Sequence, residues 1–458
     1  MAEIRTETAI VGAGQAGVPL ARALAEAGRL VVLVERRHLG GSCVNFGCTP
    51  SKAVIASARL AAAARRAGAM GVGIPSVAVD FAAVMARARR LVAESRGSLE
   101  ESFRGRDNPR LLCAEARLEG RRDGLFRLRA GGDVVLAERV VLDTGTRSAR
   151  PPLPGLNSVP LVDSESWVGL EALPGHLVFL GGGTIALEMA QCFRRLGAEV
   201  TVLEQGERLA EHEDPDVAEA LCDALEADGV EVRLGVEAVR AVPEGEGLRV
   251  HLRGGEVVEG THLFLAAGRE ANSDGLGLET LGVVPGKRGV VAVDGGLCAG
   301  VPGLYAAGDL RGGAQFTHAA YDDFRVLRDR FLGDGTATTE RVVPYAIFTE
   351  PELGRVGLSE TQARAAGRAV RVGRYRMRDS GKAREIGRTE GFVKVVADAG
   401  TGEILGAAVL CAEGAEVVQL FTQAMVAGAT AREMLRAIAI HPTFGEAAKN
   451  AVAALVDG

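Results

Sequence analysis

The sequence has no surplus of positive charge. Its 53 lysines and arginines stand against 59 aspartates and glutamates, a net charge of −6 over 458 residues. That balance offers nothing to attract a nucleic acid or an anionic lipid surface, and neither is expected as a partner. No apolar run approaches the ~20 residues that span a bilayer. The polar start, Met1 to Thr8, leads into Ala9-Ile10-Val11 without a signal core, so a cytoplasmic location and no membrane contact are expected. Cysteine is scarce as well: 7 residues, an odd number without framework spacing, which excludes a disulfide-stapled scaffold. Cys113, Cys192, Cys222, Cys298 and Cys411 are scattered, no two at ligand spacing. They read as buried packing residues, and no metal site is expected. His212, among Glu211, Glu213 and Asp214, reads as part of a solvated acidic loop.

Glycine is plentiful, 61 residues, nearly twice a background of about 7%. Without a collagen period, such glycine points to tight turns and to backbone that approaches a ligand closely. Apolar residues make up 47% and charged residues 24%, the balance of a globular chain and not of a disordered one. At roughly 150 residues per domain the length suggests about three domains.

The glycines concentrate in a repeated unit. Thr8 to Val11 is a short apolar run ending in Gly12-Ala13-Gly14-Gln15-Ala16-Gly17. A helical pattern follows, then Leu30-Val31-Val32-Leu33-Val34 closing on Glu35. Leu177 to Leu180 likewise runs into Gly181-Gly182-Gly183-Thr184-Ile185-Ala186, a helical pattern, and Val200-Thr201-Val202-Leu203 closing on Glu204. Glycine turn and acid are 23 positions apart in both copies. In such a unit the first glycine makes the turn, the second admits a pyrophosphate, and the third position lets helix pack on strand. The phosphates rest on the helix N-terminus, and the acid accepts from ribose hydroxyls. Two copies in full context predict two dinucleotide sites.

Between the copies, residues 53–105 are helical in pattern, and 111–142 alternate like a small antiparallel sheet. Pro151-Pro152 and Pro154-Gly155 mark a boundary. Residues 230–267 again read as strands with glycine turns. Ala271-Asn272-Ser273 opens a third region, and Pro344 marks another boundary. The last part mixes a strand, Phe392 to Val396, with helices from Ala415 and Phe444. Just behind the first acid lies Gly40-Gly41-Ser42-Cys43-Val44-Asn45-Phe46-Gly47-Cys48-Thr49-Pro50-Ser51-Lys52. Cysteines one helical turn apart can close a disulfide with little chain movement. The thiolate nearer a helix start is stabilised by its dipole.

These motifs together resemble the class I pyridine nucleotide–disulfide oxidoreductases, whose members include dihydrolipoamide dehydrogenase, glutathione reductase and mercuric reductase. The resemblance covers essentially the whole chain. It rests on the first glycine turn, C-x4-C-x-P-S-K, the second turn with Glu188, Ala266-Ala267-Gly268-Arg269, Leu304-Tyr305-Ala306-Ala307-Gly308-Asp309, and His441-Pro442-Thr443-Phe444-Gly445-Glu446.

The resemblance implies an α/β fold: two Rossmann-like dinucleotide-binding domains and a C-terminal α+β dimerisation domain. It places an FAD-binding domain at 1–147, an NAD(P)-binding domain at 148–270, a central region completing the FAD site at 271–338, and an interface domain at 339–458. FAD is expected on Gly12, Gly14, Gly17 and Glu35, with Lys52, Ala116, Thr144, Gly145, Gly308 and Asp309 completing its site. The nicotinamide dinucleotide is expected on Gly181, Gly183, Ala186, Glu204 and Gly268. Cys48 matches the charge-transfer thiolate, Cys43 the interchange thiol, and Lys52 with Glu188 the ion pair beside the flavin. A buried lysine calls for such a partner. His441 matches the acid–base residue and Glu446 the acid that holds its ring. In the family that histidine comes from the other subunit, which implies a homodimer.

NADH is expected over NADPH. Gln205 and Glu211 stand where NADPH-using glutathione reductase carries arginines, and Glu204 would repel a 2′-phosphate. Arg208 and Ala186 keep NADPH as the alternative. For the electron acceptor, Val44 to Pro50, Thr184, and Gln315 to His318 with Asp322 to Arg325 look closest to mercuric reductase-like and reactive-chlorine-resistance flavoproteins. Yet the chain ends Ala454-Leu455-Val456-Asp457-Gly458 without a vicinal cysteine pair, lacks an N-terminal metal-binding domain, and keeps His441. Those departures favour a disulfide or dithiol substrate over Hg(II), with dihydrolipoamide dehydrogenase as the alternative. Thr184 in place of an aromatic gate speaks against that enzyme. Further alternatives are an NADH oxidase and a reductase of Cu(II) or quinone.

Overall fold

The computed structural model describes residues 2–456. Residues Ala454 to Val456 continue its last helix, and the end of the chain named above otherwise lies outside the described residues. In chain order the first half contains β1 (Glu3–Val11), α1 (Gly17–Glu26), β2 (Val31–Glu35), α2 (Gly41–Asn45), α3 (Cys48–Arg66), α4 (Phe81–Glu101), β3 (Arg110–Cys113), β4 (Ala116–Arg122), β5 (Leu125–Ala130), β6 (Asp133–Leu142), β7 (Thr146–Ser148), β8 (Leu161–Asp163), β9 (His176–Leu180), α5 (Thr184–Leu196) and β10 (Glu199–Leu203). Then follow α6 (Pro215–Ala227), β11 (Glu231–Arg233), β12 (Ala238–Glu244), β13 (Gly247–Leu252), β14 (Val257–Gly260), β15 (His262–Leu265), β16 (Arg269–Ala271), β17 (Leu304–Ala306) and α7 (Thr317–Leu332).

The first sheet has the order β3-β2-β1-β6-β5-β4, with β17 also on β6. Its strands β3, β2, β1, β6 and β17 are parallel, while β6, β5 and β4 form an antiparallel meander. The alternating stretch 111–142 is therefore not a separate small sheet. β3 pairs with β2, and β6 is shared between the parallel and antiparallel parts. The second sheet, β11-β10-β9-β15-β8, is wholly parallel, and β12-β13-β14 form a three-stranded antiparallel sheet beside it. Strands β2, β9 and β10 and the second half of β1 are buried, because each sheet is covered on one face by helices, α1 and α7 or α5 and α6, and on the other by antiparallel strands, β4 and β5 or β12 to β14.

A short antiparallel ribbon, β7 with β16, marks the crossing between the two sheets. Thr144 and Asn272 lock it from both sides: Thr144 Oγ1 donates to the Asn272 carbonyl at 2.8 Å, and Asn272 Nδ2 donates to the Thr144 carbonyl at 2.9 Å. After this ribbon the chain returns to the first sheet through β17.

The remainder is a five-stranded antiparallel sheet of β18 (Tyr345–Ile347), β19 (Glu352–Gly357), β20 (Val370–Arg376), β21 (Phe392–Asp398) and β22 (Ile404–Cys411), in the order β18-β19-β22-β21-β20. Strand β22 is buried at every residue. The long helices α10 (Gly414–Val426) and α12 (Phe444–Val456) pack against this sheet, with α8 (Glu360–Ala365), α9 (Gly381–Glu385) and α11 (Ala431–Arg436) as short connections. A continuous core joins α3 and α4 to α5 and reaches Ile347, Leu353 and Phe392. The expected α/β architecture with a C-terminal α+β part is the one observed. Among the described residues no helix is long and apolar enough to cross a membrane.

Of the scattered cysteines, Cys192 and Cys411 are buried and Cys222 and Cys298 half-buried, but Cys113 is exposed where β3 ends at the sheet edge. The 211–214 loop also departs from expectation. Glu211 and His212 face solvent, whereas Glu213 and Asp214 are buried. Glu213 accepts from Arg355 Nε at 2.9 Å and from the Tyr345 hydroxyl. Asp214 lies 3.0 Å from Lys394 Nζ and accepts from the backbone N–H groups of Glu360 and Thr361. The acidic loop is the ionic joint between the second dinucleotide unit and the C-terminal sheet.

Candidate active site

The two glycine turns are built alike. Gly12 and Gly181 sit at φ of 101° and 102°, a region that favours glycine. A Cβ on Gly12 would come within 2.2 Å of the Asp143 carbonyl oxygen, and one on Gly181 within 2.6 Å of the Ala266 oxygen. Each turn is bound to its acid. Glu35 accepts from the N–H of Ala13 and of Arg37, both at 2.8 Å. Glu204 accepts from Gly182 N–H and, at 2.7 Å, from Gly206 N–H. Each carboxylate oxygen retains a lone pair for a hydroxyl of a ligand.

Both turns open on one cleft of about 2710 Å³, several times the 300–1,000 Å³ of an ordinary small-molecule site. Its walls carry Gly12, Gly14, Glu35, Cys43, Cys48, Lys52, Ala116, Thr144, Gly145, Gly183, Glu188, Glu204, Gly268, Gly308 and Asp309, all anticipated from sequence. Gly17, Gly181 and Ala186 are not part of the lining. Gly181 makes the turn itself, Gly17 abuts the Gly12 carbonyl behind the lining, and Ala186 is fully buried. Size and paired glycine cradles fit two dinucleotides.

The cysteine segment is strapped to the first glycine turn. Gly40 N–H donates to the Ala13 carbonyl at 2.8 Å, Gln15 Nε2 donates to the Gly40 carbonyl at 3.0 Å, and Trp167 Nε1 donates to the Phe46 carbonyl at 2.9 Å. Cys43 lies in α2 and Cys48 is the first residue of α3, both as free thiols. Cys48 is the more acidic. The hydrogen bond from Cys43 lowers it most, opposed by burial, and Thr317 and the Lys52 ammonium lower it further, to about 6. Thr317 Oγ1 is 3.1 Å from Cys48 Sγ. Cys43 is pushed well up, chiefly by donating its proton to Cys48 and then by burial. Within the pair, negative charge is favoured on Cys48 and the proton on Cys43.

One turn along α3, Lys52 Nζ lies 2.8 Å from Glu188 Oε2. The other oxygen of Glu188 accepts from Phe348 N–H at 2.9 Å, and the Phe348 ring lies 4.4 Å from the ammonium. The ion pair thus ties the first glycine unit, the second, and the start of the C-terminal sheet.

Across the cleft, Asp309 accepts from Thr146 Oγ1 at 3.0 Å, and burial raises its pKa above the usual carboxylate value. Gly308 N–H donates to Asp323 at 2.8 Å, and Asp323 is held by Arg311 and Arg341. His441 and Glu446 are elsewhere. His441 Nδ1 is 3.0 Å from Glu446 Oε2, and this hydrogen bond lowers the glutamate's pKa. The histidine is 75% exposed and does not line the cleft. Within one chain Cys43 and His441 are not brought together.

Asp143, Asp323, Thr317 and Phe348 belong to the site but carried no assigned role from the sequence. Asp143 had a signal, a charge ending the apolar run Val140-Val141-Leu142. Asp323 had another, an acid among the buried positions Ala319, Ala320, Phe324 and Leu327 of α7. Among the described residues no cluster of metal-ligating side chains occurs.

The pyridine nucleotide-disulphide oxidoreductase family model matches residues 6–323, and the dimerisation domain of the same family matches 343–452. The chain is 31% identical over 445 residues to the probable pyridine nucleotide-disulfide oxidoreductase RclA of Escherichia coli (strain K12), covering 96% of this chain and 97% of that one. It is 34% identical over 452 residues to dihydrolipoyl dehydrogenase 3 of Pseudomonas aeruginosa, covering 96% of each. Identity to the mercuric reductase of Streptomyces lividans is 33% over 451 residues, 97% of this chain and 94% of that one. Among solved structures, the Cu(II) complex of the HOCl-induced flavoprotein disulfide reductase RclA from Escherichia coli is similar with a TM-score of 0.89 and 30% identity, covering 98% of this chain and 99% of that one.

Proposed function

The chain belongs to the pyridine nucleotide-disulphide oxidoreductases, and we propose that it reduces a disulfide or metal-ion acceptor with electrons from NADH through FAD and the Cys43–Cys48 pair. The observation that carries this reading is the cysteine pair, Cys43 in α2 and Cys48 at the start of α3, one helical turn from the Lys52–Glu188 pair on the wall of a cleft sized for two dinucleotides. Residues 1–147 and 271–338 hold FAD, 148–270 the nicotinamide dinucleotide, and 339–458 the dimer contact.

FAD and NADH, held by the two glycine units, would supply the hydride chemistry that reduces the cysteine pair. Lys52 places a positive charge where reduced flavin carries a negative one, and Glu188 keeps that ammonium from facing the cleft unpaired. Cys48 is held as a thiolate, and Cys43 keeps the proton. For a disulfide substrate, a base takes that proton, and Cys43 attacks one sulfur to form a mixed disulfide. The released thiolate takes a proton back, and Cys48 then attacks Cys43 to close the pair and release the second thiol. His441, fixed by Glu446, is the base and acid. It reaches Cys43 from the partner subunit of a homodimer, which accounts for its exposure beside Ile438 and Ile440, 96% and 78% exposed.

NADH is favoured because Glu204 and Glu211 put negative charge where a 2′-phosphate would lie, although Arg208 lines the same wall. A metal-ion acceptor is the second reading. A thiolate beside a thiol is a soft ligand pair, and a similar structure is a Cu(II) complex. Purified protein with NADH and a panel of lipoamide, glutathione disulfide, Hg(II), Cu(II), quinone and oxygen separates the acceptors. Cys43→Ser is expected to keep FAD and lose disulfide reduction; full activity in that variant overturns the mechanism.

A further inference from the structure

Strand β6 is apolar at its end and then delivers a carboxylate, Asp143, into the wall between the two segments read above as the FAD cradle. Asp143 Oδ2 accepts from Gly17 N–H at 2.7 Å, at the start of α1, and the Ala16 N–H also bonds to this carboxyl. A Cβ on Gly14 would come within 2.7 Å of Oδ2, and a Cβ on Gly308 within 2.8 Å of Oδ1. One side chain therefore abuts both the first glycine turn and the Gly308-Asp309 turn.

Among the described residues no cation pairs with this carboxyl. Arg311 and Arg341 bind Asp323 on α7, and Arg269 faces Asp309 from β16. The charged groups that act on Asp143 are Asp309 from the turn after β17 and Asp323 from α7, both of its own sign. Burial, with those two acids, pushes its carboxyl up to about 8 against the pull of the two amides. A pyrophosphate on the N-terminus of α1 would add more negative charge at the same place.

We propose that Asp143 is a positioning residue for FAD that must be a neutral acid while the dinucleotide is bound, holding the start of α1 as an acceptor and bringing no charge against the pyrophosphate. The proposal rests on the reading of the first glycine unit as the FAD site. Its consequence is that FAD binding to the apoprotein takes up a proton at alkaline pH. Asparagine keeps the acceptor for Gly17 N–H and removes the charge, so Asp143→Asn separates charge from shape.

The test is the dissociation constant of FAD from apoprotein, read by flavin fluorescence. For the wild type the constant is expected to hold steady from about pH 6 to 7.5 and then rise, approaching about tenfold per pH unit above pH 8. D143N is expected to show no such rise. Saturable binding with equal slopes in both proteins overturns the proposal alone. Absence of saturable FAD binding to the wild type at neutral pH overturns the cofactor reading and the proposal with it, whereas its absence in D143N alone overturns the proposal only. Titration calorimetry of the wild type near pH 8.5, in two buffers of different ionisation enthalpy, gives a check that needs no variant. Uptake approaching one proton per FAD supports the proposal, and zero uptake overturns it.

Discussion

Replacing Cys43 by alanine tests how the cleft makes a thiolate. The Cys48 thiol stands at about 6 against an ordinary 9.0. Three pH units correspond to about 4 kcal/mol of preference for the charged form. The hydrogen bond from Cys43 is the largest cause, and a hydrogen bond to a charged acceptor is worth about 1.5–3 kcal/mol. Cys43→Ala should therefore raise Cys48 by about one to two units, to between about 7 and 8. At pH 7 the thiolate fraction would fall from roughly nine-tenths to between a half and a tenth, and alkylation of Cys48 would slow about two- to tenfold. The assay is iodoacetamide labelling of the reduced holoenzyme across pH 5 to 9, with Cys48 resolved from the other cysteines by peptide mass. Cys43→Ser, which keeps a donor, should move the midpoint less than alanine does. Thr317→Val should move it less than Cys43→Ala, and Lys52→Met less again. A midpoint that stays at about 6 in Cys43→Ala, or moves further in Lys52→Met, would refute the ranking and make the lysine the dominant cause.

Glu188→Gln should leave Lys52 facing Phe348 without a counter-charge. A loss of about 1–3 kcal/mol is expected, below the range for a fully buried pair because Lys52 is partly exposed; chemical denaturation of the holoenzyme measures it. Arg355→Leu leaves Glu213 buried beside the Tyr345 hydroxyl alone and should cost about 3–5 kcal/mol, visible as a fall in Tm, whereas Tyr345→Phe should cost much less. Ile438→Asp with Ile440→Asp should yield monomers by light scattering that retain FAD and lose disulfide reduction; an active monomer would remove His441 from the reaction. The ratio of kcat/KM for NADH to that for NADPH should favour NADH, and Glu204→Ser should narrow it.

The two glycine units were legible because turn chemistry is local. A glycine at positive φ, a second where phosphate approaches, and an acid 23 positions on leave a mark that no distant contact can erase. Cys43, Cys48, Lys52 and Glu188 were legible for the same reason, each at a fixed offset from a turn or helix start. What was not legible depends on chain segments that meet only in the fold. Glu213 reads as a solvated acid until Arg355, 142 positions later, closes over it. Asp143 reads as the last residue of a strand until Gly17, 126 positions earlier, turns its N–H toward it. The stretch 111–142 alternates like a free-standing sheet, yet β6 also pairs with β1, a partnership that alternation within the stretch does not encode.

The indole that ties the cysteine segment in place has a use of its own. Trp167 is the one tryptophan in the chain. It is buried, lines the cleft, and donates to the carbonyl of Phe46, between the two reactive cysteines. The emission of this protein near the red edge of the ultraviolet therefore has a single origin, placed by nature where a fluorophore would be engineered. Binding of a chromophore in the cleft should quench it by energy transfer. Opening or closing the Cys43–Cys48 pair should shift the polarity around its N–H. The molecule carries its own optical probe, and occupancy and redox state can be followed in real time without a label.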